Sequence, residues 1–342
     1  MDRYQVSVLL TEQCNMRCRY CTTAKRDGDM SPEVMGHVVR LLEATEPAGL
    51  DVNFHGGEPT LHWDGMVALA EALKPTAARR RVSFNMCTNG THLDADRAAW
   101  LRSWDVDVRV SIDGRLGTHA LNRLPRLERG AAEAFHQRSV EGLRHLVAAG
   151  VATSVNMVVT AETVSGLVDN ALFLLDMGLT HLIVSPVVGQ PWSGEDLLAL
   201  DGQLRRLMSV WERWFAQADG PAREQLRRSL LSEVERAAYC AGLATNQPDA
   251  RFVVFTPDGR VLGDEPDFRV EDRLLLARIE DLPRLGALPT LERTAFQLMG
   301  DLGHHAGDVK DSVRRTHVLL RRRMEELYQR LYGHAAAEAR RL

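Results

Sequence analysis

The strongest constraint on this chain is the regular alternation of short strand patterns with longer helical patterns through its first half. The strand patterns are short runs rich in β-branched and other apolar residues, at residues 5–10, 50–55, 82–87, 106–112, 152–159 and 181–186. Helical patterns, with apolar residues three and four positions apart, separate them at residues 31–44, 66–73, 94–103, 138–149 and 164–177. Such alternation is typical of parallel strands joined by helices. The sequence therefore predicts an α/β fold, a partial (β/α)6 TIM-like barrel.

The pattern changes in the second half of the chain. Helices are predicted at residues 196–218 and 222–241, and residues 251–262 form a predicted hairpin around a Thr-Pro-Asp-Gly turn. We therefore expect a barrel domain over residues 1–215 and a C-terminal helical extension, containing the β-hairpin, over residues 216–342.

The composition is that of a folded globular protein. Of 342 residues, 45% are apolar and 26% are charged, and the formal net charge is −4. This mild acidity, without a dense basic block before the C-terminal helices, disfavours a nucleic-acid partner. The chain has no run of about 18 apolar residues and no signal-peptide pattern. We therefore expect a cytoplasmic protein that has neither a nucleic-acid nor a membrane partner.

Three of the five cysteines lie in the loop after the first predicted strand, at Cys14, Cys18 and Cys21. Five cysteines are too few for a disulfide scaffold, and their clustering is typical of metal ligands. Iron–sulfur clusters normally take four cysteines, so three thiolates would leave one iron open to a chelating ligand. The alternative is a structural zinc site, which needs a fourth Cys or His nearby. The nearest histidines, His37 and His55, do not have zinc-finger spacing.

Residues 14–21 resemble the signature of the radical S-adenosylmethionine (radical SAM) superfamily, in which an aromatic residue, here Tyr20, precedes the last cysteine. After the second strand, Gly56, Gly57 and Glu58 resemble the superfamily's glycine-rich motif. The resemblance implies that the three cysteines hold one 4Fe-4S cluster. It also implies that the Gly-Gly-Glu motif contacts the amino group of S-adenosylmethionine, with the glycines allowing close backbone approach.

Four further positions resemble the cofactor site of this superfamily. Asn89 follows the third strand, Ser111 and Asp113 follow the fourth, and Arg123 lies further along the chain. The resemblance implies that Ser111 and Asp113 contact the ribose and carboxylate of the cofactor and that Asn89 belongs to the same site. It further implies that Arg123 pairs with the cofactor carboxylate. The resemblance covers residues 5–190.

The second half resembles the SPASM or twitch extension of the peptide- and sulfatase-modifying branch of the superfamily. In that branch the hairpin ends in a cysteine of an auxiliary cluster, whereas here Gly263, Asp264 and Glu265 follow it. Cys240 alone lies in the second half, and one thiolate cannot hold a cluster. We therefore predict no auxiliary cluster. Asp264 and Glu265 are candidates for contact with a polar substrate, with an exposed turn as the alternative.

Strand alternation places Ser83, Asn85 and Cys87 on one face of the third strand, toward the lumen of the predicted barrel. A thiol at the lumen can donate a hydrogen atom to a substrate radical, which makes Cys87 a candidate donor. A buried cysteine that only fills space is the alternative.

The resemblance implies an enzyme whose cluster is reduced by a flavodoxin or ferredoxin, after which S-adenosylmethionine is cleaved reductively to give a radical that abstracts hydrogen from carbon. Two substrate classes are open. The predicted lack of an auxiliary cluster favours a small sugar, nucleoside or amino-acid intermediate, whereas the likeness to the peptide-modifying branch favours a ribosomally made peptide. A catalytically inactive iron–sulfur or zinc protein is the alternative of another class, and the Gly-Gly-Glu motif disfavours it.

Overall fold

The computed structural model describes residues 3–45, 49–127, 130–179, 181–187, 190–217, 220, 250–263, 274–285 and 307–332. The chain divides into two compact units. The first comprises Met1–Ser111, Asn122–Ala152 and Pro248–His304, and the second comprises Ile112–Leu121, Thr153–Gln247 and His305–Leu342. The domain boundary expected near residue 215 stays a prediction.

The first unit is built on one sheet and a small ribbon. Its strands are β1 (Arg3–Thr11), β2 (Met16–Cys18), β3 (Gly49–Gly56), β4 (Arg81–Thr88), β5 (Val106–Ser111), β6 (Arg123–Pro125), β9 (Ala250–Phe255), β10 (Arg260–Leu262) and β11 (Leu275–Arg278). Strands β1, β3, β4 and β5 are parallel neighbours, and β9 adds in parallel to the other side of β1. Strands β10 and β11 continue the sheet in antiparallel fashion, while β2 and β6 form a separate antiparallel ribbon.

Helices follow the parallel strands. In the first unit they are α1 (Pro32–Ala44), α2 (Trp63–Ala72), α3 (Lys74–Arg79), α4 (Ala95–Ser103) and α6 (Ala132–Ala148). The second unit contains the parallel pair β7 (Thr153–Val159) and β8 (His181–Pro186) together with α5 (Leu116–Asn122), α7 (Leu167–Leu175), α8 (Gly194–Gln217) and α9 (Gly307–Tyr332). All six predicted strands are present, as β1, β3, β4, β5, β7 and β8. The predicted class, a partial (β/α)6 barrel, is confirmed, as is the hairpin formed by β9 and β10.

Local sequence explains where the helices begin. Ser31 accepts a hydrogen bond from the backbone N–H of Val34 at 3.2 Å, and proline occupies the first position of α1. Helix α6 begins at Ala132 rather than at residue 138, and it has no side-chain cap that could have marked its start. Its added first turns contain Phe135, which is buried.

One face of the sheet in the first unit is apolar and covered by helices. The rings of Phe54 and Phe84 stack with centroids 5.7 Å apart, and the ring of Phe84 is nearly perpendicular to that of Trp104, just after α4, at 5.9 Å. Aromatic pairs at these separations stabilise the packing beyond their buried area. This face therefore holds α4 against the sheet.

The opposite face of the same strands is polar. The strand register aligns four side chains, one from each of β1, β3, β4 and β5, which we call the polar row: Ser7, Asn53, Asn85 and Asp107. Within it, the amide nitrogen of Asn53 donates to the Ser7 hydroxyl at 3.2 Å. Barrel interiors are usually filled by bulky branched side chains. The polar row therefore makes this lumen unusual and suits it to a polar ligand.

The polar face remains open to solvent on β5. Asp107 and Arg109 are exposed, while Val106, Val108 and Val110 between and beside them are at most 1% exposed. Cys87 aligns with Arg109, two residues closer than the polar row to the carboxyl ends of the strands. The alternation predicted for β4 is confirmed, because Phe84 and Met86 are buried on the other face.

In the second unit, Arg323 joins α9 to α8. Its side chain is 7% exposed and its Nε donates to Asp201 Oδ1 at 2.6 Å. Burial alone would raise the pKa of Asp201, but hydrogen bonds from Arg323 and Arg205 hold that pKa below its ordinary value. The ion pair therefore stabilises the packing of α9 on α8 at pH values above the ordinary pKa of an aspartate, about 4.

We expect Arg323→Met to lower the free energy of unfolding at pH 7 by about 1 to 3 kcal/mol, because it strands a partly buried carboxylate. Arg322 is the matched control: it pairs with Glu326 at 3.1 Å but is 70% exposed. Arg322→Met should change the free energy by no more than about 0.5 kcal/mol. Denaturant titrations of the three proteins check this.

The same titrations repeated in acid test the role of Asp201. Because the pKa of Asp201 is lowered in the folded protein, the ion pair stabilises fully above pH about 4, and its contribution is lost as the pH falls through that lowered pKa. The difference in free energy of unfolding between wild type and Arg323→Met should therefore become smaller below pH about 4. A gap of constant size down to pH about 2 would contradict the assignment.

Candidate active site

The three predicted cluster ligands lie together in the loop after β1, and all three are free thiols. Cys14 is 7% exposed and packs against Met16 and Phe135, whereas Cys18 and Cys21 are half-buried. The backbone N–H of Cys21 donates to the carbonyl of Cys18 at 3.2 Å, which closes the turn between them. The loop thus has one buried thiol and two that are partly accessible.

The ribbon of β2 and β6, which the sequence analysis did not predict, orders this loop. Cys18 stands opposite Arg123 in its register. Arg123 is 5% exposed, its guanidinium lies 5.3 Å from the centre of the Tyr20 ring, and its Nη1 is 4.0 Å from the sulfur of Cys18. The aromatic residue before the last cysteine therefore supports a buried arginine at the edge of the cysteine loop. The contact of Arg123 with a cofactor carboxylate stays a prediction.

A lysine that the sequence analysis missed supplies positive charge to the thiols. Burial raises the pKa of the Cys14 thiol above its ordinary value, and the Lys25 ammonium opposes that shift. Burial in turn lowers the pKa of Lys25, but the thiols of Cys14 and Cys21 outweigh it and hold the pKa of Lys25 above its ordinary value. A signal existed in the sequence, since Lys25 follows Cys21 by four positions. Three soft thiol ligands beside one ammonium are a suitable environment for an anionic iron–sulfur cluster.

Gly56 and Gly57 bring the end of β3 against the cysteine loop. Gly56 has φ of 132°, and a Cβ on Gly57 would lie 2.1 Å from the carbonyl oxygen of Gln13. The N–H of Gly57 donates to Thr11 O, and that of Glu58 donates to Gln13 O, both at 2.8 Å. The glycines are therefore required for contact between two stretches of backbone, in addition to any contact with a cofactor.

The carboxylate of Glu58 is 1% exposed and accepts four hydrogen bonds. Its Oε1 accepts from the N–H and hydroxyl of Thr60 and from the hydroxyl of Thr88, the last at 2.6 Å. Its Oε2 accepts from the N–H of Asn89 at 2.7 Å. Oε2, with a lone pair to spare, is the oxygen that can accept from a ligand ammonium.

Asn89 ties the loop after β4 to the cysteine loop. Its amide nitrogen donates to Asn15 Oδ1 at 2.8 Å, and its amide oxygen accepts from the N–H and hydroxyl of Thr91. Asn15 completes the triangle by donating to the Thr91 hydroxyl at 2.8 Å. Asn15 stands immediately after Cys14, so its place within the cysteine motif was the available signal for this role. The structure thus brings the cysteines, Glu58 and Asn89 together.

The remaining predicted residues lie as follows. Ser111, half-buried, is the last residue of β5. In the second unit, Asp113 is fully buried and accepts from the N–H of Val158 at 2.9 Å, so it has a structural partner whatever else it binds. Cys240, Asp264 and Glu265 lie outside the described residues. The predicted cofactor contacts of Ser111 and Asp113 stay predictions.

Among the described residues, no group of three or more His, Cys, Asp or Glu side chains is arranged around a single metal ion. A zinc ion needs its ligand atoms within about 2.3 Å of one centre. The ligands of an iron–sulfur cluster bind separate irons.

The described part of the chain also contains no helix long and apolar enough to span a membrane.

One family model matches part of the chain. Residues 8–174 match the model of the Radical SAM superfamily, so this part of the chain carries a radical SAM domain. The predicted resemblance to this superfamily is confirmed.

Several similar curated proteins are GTP 3′,8-cyclases. That of Mycobacterium ulcerans is 32% identical over 229 residues, which make up 60% of this chain and 59% of the cyclase. That of Mycobacterium marinum is 33% identical over 227 residues, with the same shares. The chain thus spans less than two thirds of the length of these relatives.

A similar solved structure is native anSMEcpe with bound AdoMet and Cp18Cys peptide. It superposes with a TM-score of 0.66 at 20% identity and covers 82% of this chain and 78% of its own. At this identity the likeness shows a shared fold.

We expect Gly57→Ala to displace the cysteine loop, because the new methyl would meet the Gln13 carbonyl at 2.1 Å. It should lower the free energy of unfolding by about 2 to 4 kcal/mol and reduce the iron retained after anaerobic reconstitution. Gly202→Ala is the matched control, since nothing lies within 4 Å of that Cβ in α8. It should be neutral or stabilising by up to about 1 kcal/mol. Equal iron content in the two variants would contradict this role of Gly57.

Proposed function

We propose that this chain is a radical SAM enzyme that holds one 4Fe-4S cluster on Cys14, Cys18 and Cys21 and acts on a small biosynthetic intermediate. The observation that carries the proposal is the joining of three free thiols to the Gly-Gly-Glu loop, through the 2.8 Å hydrogen bonds from Gly57 and Glu58 to Thr11 and Gln13. A plain metal carrier needs no carboxylate oxygen with a spare lone pair beside its ligands, such as Oε2 of Glu58. This argument disfavours the inactive iron–sulfur protein.

Each residue of the site has a proposed role. The cluster and S-adenosylmethionine, when bound, supply a 5′-deoxyadenosyl radical that abstracts hydrogen from carbon. Glu58 orients the cofactor's ammonium, and Gly56 and Gly57 hold the loop that carries Glu58 against the cysteines. Arg123 holds the cofactor carboxylate. The other proposed cofactor contacts are Asn89, Ser111 and Asp113.

Anaerobic reconstitution with iron and sulfide tests the proposed cofactor. We expect about four irons per chain and dithionite-dependent formation of 5′-deoxyadenosine. A Cys14→Ala/Cys18→Ala/Cys21→Ala variant should retain no cluster and should form no 5′-deoxyadenosine. About eight irons would contradict the single cluster, and a full cluster without cleavage would favour the inactive protein.

The polar row supports a small polar substrate. The row crosses four strands. Cys87 and Arg109 lie on the same face, closer to the carboxyl ends of the strands, which is where the active sites of barrels are found. Amide, hydroxyl and carboxylate groups at this level can hydrogen-bond a sugar, a nucleoside or an amino acid. Cys87, half-buried on this face, is the proposed hydrogen donor.

Two alternatives follow from the similar proteins. GTP is named by the cyclase relatives, but the one charged member of the polar row, Asp107, would repel a triphosphate. A peptide is bound in anSMEcpe, whose likeness extends to the fold. The peptide is the second candidate substrate.

The four described cysteines form no disulfide bond, which supports the proposed cytoplasmic location. A flavodoxin or ferredoxin is the proposed reductant.

We expect small sugars, nucleosides or amino acids to accelerate 5′-deoxyadenosine formation by the reconstituted enzyme, and synthetic peptides or GTP not to do so. With the accelerating compound, Asp107→Asn should lower kcat/KM by about 10- to 100-fold, the loss of one charge-assisted hydrogen bond. Asp105→Asn, two residues away in an exposed turn at φ of 51°, is the matched control and should match wild type. Acceleration by a peptide alone would reverse the substrate assignment.

A further inference from the structure

We propose that the outer face of the β2–β6 ribbon is the docking surface for a small acidic protein that carries single electrons. This inference rests on the proposed function, because it supplies the electron that the cluster needs. One electron leaves the reduced flavin or iron–sulfur centre of the carrier and reduces the cluster by one electron. No bond forms between the two proteins.

The ribbon has an inner and an outer face. Directly opposite residues of an antiparallel pair project to the same side, and successive residues alternate. Cys18 and Arg123 form one such pair, and Arg123 is 5% exposed, so this pair lies on the inner face. Arg17 and Leu124 form the next pair, and both are exposed on the outer face. Electron transfer weakens steeply with distance, and here a single ribbon separates the outer surface from a cluster ligand.

The outer face is basic. Of the four Arg or Lys in residues 13–26, Arg17 and Arg19 are left for this surface, because Lys25 lies beside the cysteine thiols and Arg26 pairs with Glu12. The nearest following acids are Asp27 and Asp29, and the net charge of the chain is −4. Arg17 and Arg19 are exposed, and Arg126 follows β6, with its N–H donating to Asn15 O at 2.8 Å. Glu12, the nearest preceding acid, is 7% exposed and pairs with Arg26 at 3.1 Å. Glu128 and Arg129, which come next in the sequence, lie outside the described residues.

Two exposed leucines accompany these arginines. Leu124 is 40% exposed and Leu127 is 87% exposed. Apolar side chains among charges of one sign are typical of transient electron-transfer contacts, which bury less than about 1,200 Å² and rely on charge for steering. A leucine contact with a basic surround therefore suits an acidic electron carrier, whose charge the arginines attract.

Binding tests the surface without relying on catalysis. Isothermal titration of the reconstituted enzyme with an oxidised acidic flavodoxin should show a dissociation constant that rises steeply with salt. Arg17→Glu/Arg19→Glu should weaken binding by at least about 10-fold and flatten the salt dependence. Arg40→Glu/Arg144→Glu changes the same charge at two exposed helical sites, and should stay within about 2-fold of wild type. Leu127→Asp, at a side chain that is 87% exposed, provides a second test if the double variant loses its cluster.

Kinetics separates docking from the rest of the reaction. With flavodoxin as reductant, the docking variants should show a flavodoxin KM at least about 10-fold higher, whereas with reduced methyl viologen their rates of 5′-deoxyadenosine formation should stay comparable with one another and with the control. Unchanged flavodoxin binding in both docking variants would overturn the docking surface and leave the proposed function standing. Equal losses with both reductants would assign these arginines to the substrate or cofactor site instead. No cleavage by wild type with either reductant would overturn the proposed function and this inference together.

Discussion

The carboxylate of Glu58, 1% exposed, takes hydrogen bonds from Thr60, Thr88 and Asn89, and so joins the loop after β3 to the loop after β4. A buried charge is tolerated only where donors replace its lost hydration. Because Asn89 also contacts Asn15, the same network reaches the cysteine loop. Removing the charge would therefore loosen three loops at once, and the geometry of the whole site depends on this single side chain.

In the first unit, one face of the strands contributes to stability and the opposite face carries the polar groups. Their helix-covered face buries Phe54, Phe84 and the valines of β5, while their other face bears hydroxyl, amide and charged groups. A strand alternates its side chains strictly, so substitutions on one face leave the other in register. Side chains on the polar face can therefore change without loss of the apolar packing.

Much of this was predictable from local patterns. The six parallel strands, the Ser31 cap and the alternation along β4 follow from short-range periodicity and capping. The β2–β6 ribbon and the parallel pairing of β9 with β1 were not, because they join segments more than 100 residues apart and leave no periodic signal. The triangle of Asn15, Asn89 and Thr91 was missed because it joins residues more than 70 positions apart. Motif residues can be recognised in a sequence because their spacing is local, whereas their supporting partners depend on tertiary contact.

Strand β1, which leads into the cysteine loop, is an interior strand with parallel neighbours on both sides: β3 on one and β9 on the other. An unpaired strand edge exposes backbone N–H and C=O groups that pair readily with other chains. Strand β9 begins at Ala250, so a fragment cut before that residue would expose the edge of the strand that presents the cysteines. By covering that edge, the distant hairpin protects the chain against aggregation. Truncating the chain before Ala250 would remove that protection.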